Sequence, residues 1–307
     1  MNIIYENTDI TDMVETKKCC VHDTCGKRCD SLEIIFENAA GWYRWGPKED
    51  DTIKVISGAY DSGTMYVNAI IPQDGRFRII ATSLPLKSRQ KRFQNFSNKT
   101  IDEIMRNCAA QCGMSSAIFG IDRTSIIPYI ERDKDGQQEG CASFLNRLLT
   151  LEGAKLKCIN GKFTAIGLLF AQSQDPVKGL QLTAKQEGTT YSKLRNRVKS
   201  FTVISPYAKA KAVDTSMSRG REDTMSLPAK TDVQAGRWAR GLLLDYNRES
   251  DGISISTAFD QSFTALARVD ISGGTDQDGE WIIDDVQHDL IELTSNAILR
   301  RCISTIQ

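Results

Sequence analysis

The sequence predicts a mainly β protein with an α+β middle, and three observations carry that reading. Between Asp30 and Leu86, short runs rich in Ile, Val, Tyr and Phe are punctuated by Asp-Ser-Gly and Asp-Gly turns. Between Thr100 and Phe170 the apolar spacing becomes helical and is followed by a hairpin signal at Asn160-Gly161. Beyond Asp175 strand-like runs return, with one amphipathic helix among them. The expected units are a first β domain over 1–86, an α+β domain over 87–174 and a second β domain over 175–307.

Residues 1–30 open with a polar segment and the cluster Cys19-Cys20-Val21-His22-Asp23-Thr24-Cys25-Gly26-Lys27-Arg28-Cys29. Ser31–Phe36, Asp51–Ile56, Met65–Ile71 and Gly75–Ala81 read as strands, with Gly63 and Gly75 supplying the positive φ that tight hairpins need. Strands at this spacing favour a small barrel or sandwich. Lys87–Arg92 is basic and poor in turn residues, as expected of a solvated crossing linker.

Thr100-Ile101-Asp102-Glu103 is a capping box, in which the Thr and Glu side chains each satisfy a free amide. The helix it opens carries Ile101, Ile104, Met105, Cys108, Ala109 and Cys112 on one face and ends at Gly113. A second helix carries Phe144, Leu145, Leu148 and Leu149 and stops at Gly153. Lys155–Ile159 and Lys162–Phe170 then flank Asn160-Gly161 as a hairpin. Leu180–Ala184 and Val198–Ile204 are expected to be extended, and the polar stretch 208–231 to be a long loop. Thr231–Gln234 is a second capping box, opening a helix with Ala235, Trp238, Ala239, Leu242, Leu243 and Tyr246 on one side. Strands are expected at Ile253–Phe259, Phe263–Ile271, Glu280–Gln287 and between Ile291 and Ile306.

Composition excludes several classes. With 39 acidic and 39 basic residues the formal net charge is zero, so the positive excess of a sequence-independent DNA binder is missing. Nine cysteines in 307 residues is an odd and sparse set, which argues for reduced thiols rather than a disulfide scaffold. Met1–Asp9 carries acids and no apolar core, so no signal peptide is expected. The longest apolar run, Ala165–Ala171, falls far short of the roughly 20 residues of a membrane span, and the chain is expected to be soluble when made.

No catalytic residue is assigned. There are two histidines, His22 and His288, and neither a nucleophile elbow, a phosphate-binding glycine loop nor an H-E-x-x-H motif is present. His288 lies on an expected strand without a partner motif and reads as structural. Asp50-Asp51 and Asp284-Asp285 are adjacent pairs, which on a strand point to opposite faces and do not converge. Cys20, His22, Cys25 and Cys29 are the one set with metal-ligand character, but their C-x4-C-x3-C spacing departs from zinc-knuckle patterns. No metal or cofactor is therefore assigned; zinc or an iron–sulfur centre at those four residues is the alternative, as is a strand–turn–strand with Cys25 and Cys29 facing each other. Cys108 and Cys112, four apart on an apolar helix face, read as core thiols. Trp42 and Trp45 either plug the end of a barrel or form a platform for a sugar or nucleobase, and the plug is preferred.

Cys29–Phe36, Trp42-Tyr43-Arg44-Trp45-Gly46-Pro47, Asp51–Ile53, Ser62–Val67 and Phe77–Pro85 follow one another in an order that resembles the baseplate hub proteins of contractile phage tails and phage-tail-like bacteriocins. These late control D proteins are similar to the hub portion of type VI secretion spike proteins. The resemblance continues through the Thr100 helix and Phe144–Leu149 with Glu152-Gly153, and more loosely through the Thr231 helix and Gly279–His288. It is nearest to clostridial-type members, and its specificity lies in the order of the pieces. The cysteine-rich entry has no counterpart in that pattern.

The resemblance implies two tube-like β-barrel domains joined by an α+β domain, and a homotrimer whose six barrels form a pseudo-sixfold ring. It further implies a non-enzymatic hub in the tail baseplate of a virion or tailocin, assembled in the host bacterial cytoplasm. The implied partners are the trimeric central spike, the tail tube or tube-initiator protein, baseplate wedge proteins and the tape measure protein, with no membrane and no specific nucleic acid. A cell-wall-degrading or wall-binding component of the same particle is the other function class, motivated by the carboxylate-rich loops and the tryptophan pair.

Overall fold

The computed structural model describes residues 1–37, 46–134, 136–182, 188–192, 197–274 and 276–307. The first β unit contains Asn2–Tyr5 (β1), Thr16–Thr24 (β2), Ser31–Phe36 (β3), Thr52–Ser57 (β4), Met65–Gln73 (β5) and Arg76–Thr82 (β6). Alternation builds it: β3 buries Leu32, Ile34 and Phe36, and β6 buries Phe77, Ile79 and Ala81, all in one apolar core. Asp74 and Gly75, at φ +43° and +78°, make the tight turn between β5 and β6.

The middle region runs Asn95–Thr100 (β7), Ile101–Gln111 (α1), Ser115–Phe119 (β8), Ile126–Glu131 (β9), Cys141–Leu151 (α2), Ala154–Ile159 (β10), Lys162–Gly167 (β11) and Leu168–Ser173 (α3). The Thr100 capping box forms in full, with Thr100 Oγ1 accepting from Glu103 N and Glu103 accepting from Thr100 N. Every expected core residue of α1 and α2 is buried, and the two helices cover the sheet β8-β11-β10. Phe96 stacks on Phe144 in that core, ring centroids 5.5 Å apart.

The last region contains Lys178–Gln181 (β12), Gly188–Ser192 (β13), Val198–Ile204 (β14), Lys209–Val213 (β15), Arg221–Ser226 (β16), Asp232–Arg248 (α4), Asp251–Ala258 (β17), Arg268–Ser272 (β18), Gly279–Asp289 (β19) and Thr294–Arg301 (β20). Strands of the first and last regions share one curled fourteen-stranded sheet, eleven of them in the order β13-β17-β20-β19-β2-β3-β6-β5-β4-β1 and then Thr8–Asp9, with β18 branching from β19 and carrying β12, and Tyr60–Asp61 beside β4. The join is antiparallel, from Cys20 opposite Asp289 to Thr24 opposite Asp285. Two separate apolar cores lie along this sheet. One centres on Leu32, Phe36 and Phe77, the other on Ile253, Phe263 and Trp281.

Several expectations are corrected. The stretch 208–231 is not a long loop: β15 and β16 flank β14 in a small sheet, and Ala208 and Ala212 pack with Trp238 of α4 in a core of their own. Its polar composition misleads because only one face of a small sheet is covered. Residues 1–30 hold β1 and β2 rather than a polar lead-in; β2 lacks alternation because Cys19, Cys20 and Val21 are all buried. The hairpin strand ends at Gly167, three residues early, where α3 begins. Phe263 is buried, but the strand after it starts only at Arg268. The Thr231 box is incomplete: Gln234 Oε1 accepts from Lys230 N instead of Thr231 N. Tyr246 is exposed at the edge of the α4 face. Thr183 and Ala184 of the Leu180–Ala184 segment, and both Trp42 and Trp45, lie outside the described residues.

Candidate assembly site

The three regions meet at a buried ionic junction. On β10, Leu156 and Cys158 face the core of the middle region, which turns Lys155 and Lys157 to the opposite side. There Lys157 pairs with Asp23 at the end of β2 and lies 2.8 Å from Asp30 Oδ1. Its remaining donor reaches Thr24 O at 3.1 Å. All three ammonium donors are therefore used. Asp30 also accepts from Thr24 N at 2.9 Å, and Asp23 from Ala265 N at 3.1 Å in the last region.

One cation faces two carboxylates here, so the fully ionised cluster carries a net negative charge away from water. Burial pushes the Asp30 carboxyl up to about 6, against the pull of Lys157 and with added repulsion from Asp23. Burial works against the Lys157 ammonium, but Asp23 and Asp30 outweigh it and hold its pKa above the ordinary lysine value. Two further contacts brace the junction. Gly26 N donates to Leu156 O at 2.9 Å, and Thr64 N donates to Asn160 Oδ1 at 2.8 Å. At Gly63 a Cβ would come within 2.9 Å of Ile159 Cγ1, so the Asn160-Gly161 turn rests directly on the first β unit.

The candidate residues from the sequence are scattered. Cys20 Sγ donates to Asp289 Oδ2 at 3.4 Å, and Cys25 Sγ points at Asp284 O at 3.6 Å. Cys29 sits in the turn before β3, and His22 pairs opposite Gln287. Among the described residues no group of three or more His, Cys, Asp or Glu is placed to hold a metal ion. The carboxylate pairs do not converge either. Asp51 accepts from Tyr5 Oη at 2.6 Å and Asp50 from Leu86 N at 2.7 Å. Asp284 sits at a bulge in β19, between Arg248 (2.7 Å) and Arg300 (3.0 Å). His288 is fully buried between Ser295 Oγ at 2.8 Å and Phe263 O at 2.9 Å. A carbonyl only accepts, so Nε2 carries the proton and Nδ1 accepts from Ser295; burial lowers the ring's pKa and keeps it neutral.

The outer surface offers what the interior does not. Thr8–Asp9 and β13 end the main path of the large sheet and β12 ends its branch, and among the described residues no strand pairs beyond them. Unpaired edges of this kind are templates for another chain. Phe119 is 50% exposed and stacks on Phe170, centroids 6.5 Å apart, beside Leu169 at 47%. Leu293 is 56% exposed at φ +53° in the β19–β20 turn, close in sequence to exposed Ile291. Clustered exposed apolar side chains are a feature of interaction surfaces.

No protein-family model matches the sequence, and no curated protein does. Solved structures do. The 43 kDa tail protein of prophage MuSo2 from Shewanella oneidensis superposes with a TM-score of 0.73 at 14% identity, covering 98% of this chain and 97% of that one. This is a phage tail-protein fold. A tail protein from Neisseria meningitidis MC58 shares the tail-protein fold at a TM-score of 0.75 and 11% identity, covering 98% and 95%. An E. coli protein described as a type VI secretion component similar to T4 tail proteins gp27 and gp5 gives 0.59 at 10% identity, covering 95% and 75%. The tail-protein fold thus extends over the whole chain, with no helix among the described residues long and apolar enough to cross a membrane.

Sequence reasoning missed the Lys157–Asp23–Asp30 cluster. A lysine in a hairpin strand ordinarily faces water, and the two aspartates lie more than a hundred residues away. The one usable signal was the pair Lys155 and Lys157 on one face of a strand whose other face is apolar.

Proposed function

We propose that this chain is a structural, non-enzymatic baseplate hub of the late control D type, in a contractile phage tail or tailocin. Residues 1–86 and 175–307 supply two barrel units, and 87–174 the domain that joins them. Three copies set six such units in a pseudo-sixfold ring, with a hexameric tube on one side and the trimeric spike on the other. Wedge and tape measure proteins are the further partners, and the chain carries no metal or cofactor.

The observation that supports this reading best is the single sheet passing through two apolar cores, whose end strands have, among the described residues, one edge without a partner strand. A ring of repeated units needs two similar bodies held in fixed relation and edges that a neighbour can cover. The internal chemistry agrees: the buried carboxylates and His288 are committed to partners within the chain. Light scattering on the purified chain is expected to give three times 34.2 kDa, and on its complex with spike and tube proteins that mass plus the mass of the partners. A chain that stays monomeric with those partners and is missing from purified tail particles overturns the proposal.

A further inference from the structure

Two exposed apolar surfaces stand at a distance from each other. One is the tip of the hairpin between β19 and β20, where Ile291 and Leu293 flank the acidic side chain of Glu292. The tip is firmly built: Asp289 Oδ1 accepts from Ile291 N at 3.0 Å and from Glu292 N at 2.9 Å, and Leu293 O accepts from Phe259 N at 2.7 Å. Leu293 sits there at φ +53° with more than half of its surface in water. A leucine is disfavoured in the left-handed region by its Cβ, and glycine or asparagine would fit that backbone better. A residue unfavourable both for its backbone and for its exposure points to a role outside the chain.

The other surface surrounds a cleft of about 170 Å³ between the middle region and α4. It matches the roughly 150 Å³ that truncating a buried leucine can leave. α3 buries Leu168 and Ala171 and turns Leu169 and Phe170 outward. Ile121, Leu169 and Leu244 give the cleft apolar walls, and Arg237 and Arg240 complete its lining on the α4 side. Arg237 is engaged by Glu152 at 3.0 Å. The carboxylate of Asp122, also in the lining, accepts from Thr124 N at 2.9 Å and from Ser125 Oγ at 3.0 Å. Arg240 is exposed and, like Glu292 at the tip, has no ion-pair partner among the described residues.

Tip and cleft cannot meet within one copy. Leu244 of the cleft shares an apolar cluster with Ile282, near the start of β19, whereas the tip follows Asp289 at the end of that strand. The seven residues from Ile282 to Asp289, at about 3.3 Å each, put roughly 23 Å between the two ends. We infer that the tip of one copy seats in the cleft of a second copy, Leu293 entering between Ile121, Leu169 and Leu244, and Glu292 pairing with Arg240. Size, polarity and charge all match: a small apolar knob beside an acid meets a small apolar cleft beside a free base. Two unlike surfaces on one chain make a head-to-tail contact, which closes into a ring when the rotation between copies allows. Three such contacts tie together the trimer proposed above, and the inference rests on that reading.

The test is sedimentation equilibrium of the full-length chain over a concentration series, in which wild type is expected to pass from monomer to trimer. Leu293→Gly, which also relieves the left-handed backbone, should weaken the trimer by roughly tenfold or more and leave the circular dichroism of the monomer unchanged. Glu292→Arg and Arg240→Glu should each weaken it by roughly tenfold or more, because each sets like charges opposite one another. Both changes in one chain should restore the dissociation constant to within about threefold of wild type, a recovery that damage to the fold does not produce. Trimers indifferent to these changes overturn the inference, and so does a double variant no better than the single ones. Unaltered trimers that lose spike or tube binding assign the surfaces to those proteins and overturn it as well. A wild type that trimerises only with spike and tube proteins overturns this contact while the ring stands; one that stays monomeric with them ends both.

Discussion

Lys157 Nζ lies 2.8 Å from Asp30 Oδ1, with both side chains almost wholly removed from water. The lysine belongs to the middle region and the aspartate to the first β unit, and Asp23 extends the pair to Ala265 in the last. A buried ion pair adds little over a well-packed apolar alternative, but removing one partner leaves an uncompensated charge. Lys157→Met should therefore lower the unfolding free energy by about 3–5 kcal/mol, the range seen when a buried pair is broken. A urea titration followed by tryptophan fluorescence measures this; a loss below 1 kcal/mol, on the scale of an exposed pair, contradicts the burial of the cluster.

The same cluster sets a pH dependence. Asp30 has a folded pKa of about 6, above that of an unfolded aspartate, so between roughly 4 and 6 the folded state binds the extra proton. Its contribution to stability is full at the acid end and declines as pH rises through that window. Protonation brings the net charge of Lys157, Asp23 and Asp30 to zero, which is the physical reason for the direction. His288 acts with the opposite sign: its folded pKa is lowered, so the unfolded state takes the proton first and stability falls as pH drops below about 6.5. Measuring wild type against Asp30→Asn and against His288→Gln separates the two. The wild-type advantage over Asp30→Asn should grow from pH 6.5 to pH 4.5, and that over His288→Gln should shrink.

The Thr100 cap offers a local control. Its hydroxyl satisfies Glu103 N at the start of α1, whose buried face anchors the middle core. Thr100→Ala should cost about 1 kcal/mol, while Thr100→Ser should be nearly silent. Equal losses in both variants would mean that the methyl group, rather than the cap, matters.

These elements differ in how far the sequence discloses them. The Thr100 box, both middle helices and the Asn160-Gly161 hairpin are local, since each is specified by residues within four or five positions of one another. β3 and β6 are legible because one face is buried and the other is not. β2 is not legible, because burial on both faces beside β19 erases the alternation and leaves only a run of cysteines. β15 and β16 are hidden for the opposite reason, too little burial to show a pattern. The junction is the least visible part. It joins residues 23, 30, 157 and 265, and proximity across such separations is a property of the fold. The resemblance to baseplate hub proteins implied an α+β domain between two barrel units, but nothing in it pointed to Lys157.

Gly241 tests the packing of the last helix. It lies on α4 against the C-terminal end of α2, and a Cβ added there would come within 2.2 Å of Leu151 O and 2.7 Å of Gly153 N. Both contacts are backbone, so no side chain can swing aside, and the helices must separate to admit a methyl group. In an exposed helix interior a Gly to Ala change stabilises by up to about 1 kcal/mol. Here it should destabilise by about 1–3 kcal/mol through overpacking. Separation of α4 would also pull on Arg237 and Trp238, which donate to Glu152 at 3.0 and 2.8 Å. Gly241→Ala should thus shift the urea midpoint down and change the emission of Trp238, a residue buried in the core formed by α4, β14 and β15. A variant as stable as wild type, with unchanged fluorescence, would show that α4 does not approach α2 this closely.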